Sequence, residues 1–145
     1  MNITNEKIIK LEIKQIAAYL PYRLKYLDKD TNELTTMRSI STEINLIDMG
    51  WGNAHDLKEF KPILRPLSDL TKEIEFDNEK FTPSKDKYWG MNSFQYHINQ
   101  FENWESPSAY LNSCAPYGLL LVLIKWHFDV FGLIDAGLAI DINTL

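Results

Sequence analysis

Apolar positions change period along this chain, and each change predicts an element. In residues 8–20, Ile9, Leu11 and Ile13 alternate with charges as on a strand, while Ile9, Ile13, Ile16 and Leu20 recur at helical spacing. The second pattern is longer and ends at Pro21, so a short helix over roughly 12–20 is expected. From Tyr22 to Leu27 apolar and basic residues alternate, and Asp28–Asn32 is a cluster of turn formers. Leu34 to Met49 is rich in Thr, Ile and Ser, which predicts a β-hairpin with a third strand around Ile44–Ile47. Gly50–Asn53 reads as a loop. Phe60–Arg65 reads as a strand that Pro62 and Pro66 would confine to an edge or an end.

Helical signals take over in the second half. Ser68 is a suitable N-cap for a short helix over 69–75, with Asp69 favourable at its positive end. Phe76 to Lys87 is polar and contains Pro83, so it reads as loop. Met91, Phe94, Ile98 and Phe101 stand at i, i+3, i+7 and i+10 and predict one face of a helix over about 92–104. Ser106-Pro107 opens a further short segment that Ala115-Pro116 closes. Leu119 to Ile124 is an unbroken apolar run, followed by Lys125, His127 and Asp129. A bilayer span needs about twenty apolar residues, so this is the core helix of a folded domain, expected over 117–131 and almost inaccessible at Leu120–Ile124. Gly137 is a natural C′ residue, and Leu138–Ile142 alternates like a returning strand.

The sum is one α+β domain over residues 1–145. An antiparallel sheet of three to five strands comes from the first 65 residues, and the C-terminal helices cover it. Length supports the single domain, and 45% apolar with 24% charged residues is globular composition. The net charge of −5 disfavours nucleic acid as a partner. Its distribution says more: after Lys87 the only cation is Lys125, so the C-terminal third offers no phosphate-neutralising face of its own. Met1–Lys7 lacks a basic stretch leading into an apolar run, which predicts a cytoplasmic protein without a membrane anchor.

Candidate chemistry is sparse. His55, His97 and His127 show no i,i+4 metal pair, and Cys114 is alone, so neither a metal site, a cofactor motif nor an internal disulfide is expected. Two enzyme readings exist, a hydrolase or transferase using Cys114 with His127, or one using His55 with Asp56. A buried structural cysteine is the plainer reading of Cys114. A nucleic-acid reading would need Arg23, Lys25, Arg38, Lys61 and Arg65 to line up as a basic stripe. The densest candidate is aromatic: Tyr88, Trp89, Phe94, Tyr96, Phe101, Trp104 and Tyr110 fall within 23 residues. Tyr96, His97, Gln100 and Trp104 lie off the Met91/Phe94 face, among polar residues with little charge. That composition is typical of binding hot spots, and equally such rings can be core. With Trp51 in its glycine-flanked loop and Trp89, they are the expected contacts with a protein partner. A homo-oligomer is also compatible with the sequence.

Three segments, Tyr19–Lys25, Phe60–Glu75 and Trp126–Leu145, resemble small proteins of bacteriophages and integrated mobile elements of anaerobic bacteria, a group with no assigned activity. The resemblance covers about 43 of 145 residues and omits Phe76–Lys125. It implies a bacterial cytoplasm as the setting. In that setting a small protein without a catalytic signature is expected to act by binding, as inhibitor or adaptor toward a host or defence protein.

Overall fold

A computed structural model describes residues 13–27, 33–37, 39–41, 46–48, 54–56, 61–85 and 93–145. Among them the fold is α+β, as the periodicities predict. The expected single sheet is instead divided into small ones. β1 (Lys25–Leu27) pairs antiparallel with β2 (Leu34–Thr36). β3 (Ser39–Ser41), β4 (Leu46–Asp48) and β5 (Ala54–Asp56) form an antiparallel meander. The N-terminal helix is short, α1 at Ile13–Ala17, and a 3₁₀ turn at Leu20–Tyr22 admits Pro21 in its first positions.

The segment after it changes the architecture. β6 (Ile63–Leu64) runs parallel to β9 (Ile140–Asp141), with Ile63 opposite Ile140. Ile140 N–H donates to the Pro62 carbonyl at 2.8 Å. On the opposite edge, Pro62 bridges Tyr26 and Leu27 N–H reaches the Lys61 carbonyl at 3.4 Å. Further along that edge Arg65 exchanges two 2.8 Å hydrogen bonds, donating to His127 O and accepting from Asp129 N–H. Residues an odd number apart face opposite edges of a strand, so this segment is paired along both sides. The prolines do not make it an edge. Pro62 contributes its carbonyl, which needs no N–H, and Pro66 lies beyond the last pair.

Two further expectations are corrected. Ser68 caps no helix over 69–75; Pro66 instead leads into a 3₁₀ turn at Leu67–Thr71. Phe76–Lys87 is not all loop, because β7 (Ile74–Phe76) and β8 (Glu79–Phe81) form a hairpin. Its two-residue turn is Asp77-Asn78, both at positive φ (51° and 67°), the geometry of a tight hairpin that Asp and Asn tolerate.

The helices are shorter than their patterns. α2 covers Ser93–Gln100 and passes into a 3₁₀ turn at Phe101–Asn103. α3 (Pro107–Ser113) begins as expected, with Ser106 Oγ accepting from Ala109 N–H at 3.2 Å and Pro107 at the first position. α4 covers Tyr117–Lys125, nine residues rather than about fifteen. Leu119, Val122, Leu123 and Ile124 are buried, whereas Leu120 and Leu121 are half-buried.

α4 stops because His127 turns left-handed (φ 63°). Its N–H bonds to Ile124 O and Phe128 N–H bonds to Leu123 O, both at 2.9 Å, which is a Schellman closure. Beyond it Trp126, Phe128 and Val130 are buried. Asp129, 5% exposed, accepts from Leu133 and Ile134 N–H at 2.8 Å each and folds the next turn. Gly137 (φ 77°) closes that turn in the same manner, Gly137 N–H to Ile134 O and Leu138 N–H to Leu133 O.

The core joins both halves of the chain, from Ile16, Tyr19, Leu24 and Tyr26 to Leu123, Phe128 and Leu133. Tyr19, fully buried, links them by its hydroxyl. It donates to Phe128 O at 2.5 Å and accepts from Val130 N–H at 3.3 Å. Burial pushes its phenol pKa up, so the hydroxyl stays neutral. Tyr19→Phe would remove both hydroxyl bonds and leave Val130 N–H and Phe128 O only their own 3.0 Å contact. The substitution is expected to destabilise the fold by about 1 kcal/mol. Chemical denaturation would detect it as a lower midpoint at unchanged slope.

Candidate functional site

Two places gather chemistry. The first is aromatic and lies between α2 and α3. Tyr110, 5% exposed, is at its centre. Its ring meets His97, Phe101 and Trp104 at centroid distances of 5.8, 5.9 and 5.8 Å. Its hydroxyl lies 2.5 Å from His97 Nδ1. Burial lowers the His97 pKa, so the ring is neutral at pH 7 and Nδ1 accepts from the Tyr110 hydroxyl. Tyr96 packs edge-on against His97 at 5.2 Å. Tyr96 (58%) and Trp104 (38%) nevertheless keep much of their surface in solvent, and His97 and Gln100 are half-buried.

The expected patch is therefore assembled differently from its helical phase. α2 ends at Gln100, so Trp104 does not share a helix face with Tyr96 and His97. Tyr110, placed by the Ser106-capped α3, is what holds Trp104 beside them. Ile98 and Phe101 pack against the core as the periodicity predicts. Met91, Trp51, Trp89 and Arg38 lie outside the described residues, as do the side chains of Phe94, His55 and Asp56.

The second place is a cavity of about 560 Å³, in the size range of small-molecule sites. Its walls come from the start of β1, the end of β6, the β7–β8 hairpin and the end of α4. Arg23, Lys25, Arg65 and Lys125 line it, with Glu75 and Asp77, and Tyr22, Phe76 and Trp126 supply apolar wall. Three of its lining residues, Arg23 (φ 56°), Asp77 and His127, carry positive φ without being glycine. Such conformations persist only where the surrounding structure enforces them.

His127 is fixed from several sides. A carbonyl only accepts, so His127 donates Nε2–H to Tyr22 O, at 2.6 Å. Phe76 packs edge-on against the ring at 5.2 Å. Burial lowers the imidazole pKa most, the Tyr22 carbonyl and Asp77 oppose it, and Lys25 and Arg65 lower it further. The ring is thus neutral at pH 7, with Nδ1 as acceptor.

Arg65 is nearly buried (9% exposed). Its Nη2 donates to Glu75 O at 3.2 Å. Its Nη1 lies 3.7 Å from Asp69 Oδ2, an ion pair too long for a hydrogen bond. Its Nε is buried and donates to no protein atom. Asp69 in turn accepts from Asn143 Nδ2 at 2.8 Å and meets Lys72 at 3.6 Å, tying the C-terminal turn to the 67–71 turn.

Comparison of this chain with family profiles, with curated proteins and with solved structures returns no match. The site is therefore read from its own geometry. Cys114 does not join His127: it is exposed at the end of α3 and does not line the cavity, so it is not the buried core cysteine its solitude suggests. Among the described residues no three His, Cys, Asp or Glu side chains group to hold a metal ion, and no helix is long and apolar enough to cross a membrane. Part of the basic stripe does converge, since Arg23, Lys25 and Arg65 share the cavity. Arg23 and Lys25 do so from the exposed start of β1, whereas Arg65 is buried on the far wall.

The lowered His127 pKa makes stability pH-dependent. The unfolded imidazole binds its proton near 6.5, the folded one only at lower pH. The stability this group contributes is thus complete above 6.5 and is lost as pH falls through the folded value. Asn tolerates the left-handed C′ position, so His127→Asn should remain folded. His97 shifts in the same direction, and comparison with the variant isolates His127. Between pH 7.5 and about 5 the wild-type melting temperature should fall more steeply than that of His127→Asn. Parallel pH profiles would contradict the neutral, buried assignment.

Proposed function

We propose that this chain is a non-enzymatic binding protein that engages a protein partner through Tyr96, His97, Gln100 and Trp104. The observation that carries this reading is the arrangement around Tyr110. Two large aromatic side chains stay in solvent, yet ring contacts and the His97–Tyr110 hydrogen bond hold the cluster in place. A pre-ordered aromatic surface loses little side-chain entropy on binding, and Trp and Tyr are the residues that carry interface energy. Charge is sparse here, which lowers the desolvation penalty at an interface core. The resemblance of three segments to phage and mobile-element proteins supports a bacterial host or defence protein as the target, with the chain acting as inhibitor or adaptor in the cytoplasm. Exposed Cys114, apart from His127, lends no support to a cysteine nucleophile.

Trp104→Ala tests the proposal. A partner would be captured from bacterial lysate and identified by mass spectrometry. Its affinity would then be measured for wild type and variant. The expected loss is about 2 kcal/mol or more, close to thirty-fold. Melting of the variant provides the control, because Trp104 also packs on Tyr110. A lowered melting temperature with unchanged affinity would show that Trp104 is there for packing, and would overturn the reading.

A further inference from the structure

We infer that the cavity between β1, the end of β6, the β7–β8 hairpin and the end of α4 binds a small organic phosphate monoester. Charge is the first ground. The chain carries −5 overall, yet Arg23 and Lys25, Arg65 and Lys125 converge here from three segments, with Glu75 and Asp77 as the carboxylates of the lining. With Asp69 paired to Arg65, an excess of one to two positive charges remains, in the range a phosphate monoester would balance with its charge of about −1.5 to −2 at neutral pH. A neutral ligand would leave this gathering of like charges without compensation.

Hydrogen-bonding capacity is the second ground. Among the described residues, Arg23, Lys25 and Lys125 form no ion pair, the pairs of this region being those of Asp69 with Arg65 and Lys72. Arg65 keeps Nε without an acceptor and meets Asp69 only at 3.7 Å. That Nε is closed off from solvent, so Arg65 offers the cavity its positive charge rather than this donor. The backbone N–H and C=O of Arg65 are both bound, to His127 O and Asp129 N–H, so this residue is positioned before any ligand arrives.

The walls are the third ground. Tyr22, Phe76, Trp126 and Ile63 add apolar lining to the cavity, and its volume of about 560 Å³ exceeds what a bare phosphate would fill. An ester carrying a ring or short apolar group uses both features. The neutral His127, bound to Tyr22 O, lines the same space without adding charge. The left-handed Arg23, Asp77 and His127 are the backbone turns that bring the four segments together.

Titration calorimetry and thermal melting with phenyl phosphate, inorganic phosphate and phenol provide the test. Phenyl phosphate should bind and raise the melting temperature, inorganic phosphate should do so more weakly, and phenol should do neither. Lys25 and Lys125 are exposed, so the double variant Lys25→Glu/Lys125→Glu should fold, which its own melting curve checks. It should bind phenyl phosphate at least about tenfold more weakly, and Lys25→Arg/Lys125→Arg should bind nearly as wild type. Trp104→Ala should leave phosphate binding unchanged, which separates this inference from the protein-binding surface. Absence of binding by both phosphates at millimolar concentration would overturn it. So would equal binding of phenol, or undiminished binding by the Glu double variant. Binding of a short oligonucleotide without binding of either phosphate would also overturn it, in favour of a nucleic-acid surface.

Discussion

Pro62–Arg65 is a seam at which distant parts of the chain meet. The segment is buried, so its backbone N–H and C=O groups must find partners in the protein rather than in water. β9 supplies them on one edge, and β1 followed by residues 127–129 on the other. Both C-terminal partners run parallel to the segment, and a parallel partner cannot arrive through a tight turn. The intervening hairpin, helices and turns form the crossover that this pairing demands. The fold therefore closes only when residues about 60 to 80 positions apart come together.

The buried polar groups follow the same logic. Tyr19 spends its hydroxyl on the backbone of Phe128 and Val130. Asp129 stays in the interior because two N–H donors face its oxygens, although burial still pushes its carboxyl above the ordinary value and the nearby donors pull it down. Asp69 collects Arg65, Lys72 and Asn143. Tyr19 and the Asp69–Asn143 pair join segments far apart in sequence and act as fastenings, whereas Asp129 folds the turn that follows it. Arg65 is the exception, with a buried donor left over, and it lines the charged cavity.

The two candidate surfaces differ in how they are held. The aromatic cluster is built locally, from residues 96–110, with Tyr110 as its support. The cavity is assembled from four separated segments and depends on the seam. A destabilised seam would scatter its cations before it disturbed the α2–α3 cluster. The two candidate surfaces can therefore be perturbed separately by substitution.

Local periodicity by itself determined the α+β class, the β1–β2 hairpin, the Ser106-Pro107 helix start, the Gly137 turn and the returning strand near Ile140. These depend on spacing, caps and turn residues within a few positions. The β7–β8 hairpin was also legible, in the alternation of Ile74–Phe76 and Glu79–Phe81 around Asp77-Asn78, but Pro83 and the polar composition masked it. Tertiary structure alone decided that Pro62–Arg65 is paired on both edges, because partners 36 to 78 residues away leave no local signature. It alone ended α4 at Lys125, where His127 takes a conformation usually left to glycine so that Phe128 can reach Leu123 and Arg65. It also decided that Trp104 leans on Tyr110 rather than on the α2 face. And it gathered Arg23, Lys25, Arg65 and Lys125, spread over a hundred residues, around one cavity, since charge convergence is a property of the closed chain and not of any stretch of it.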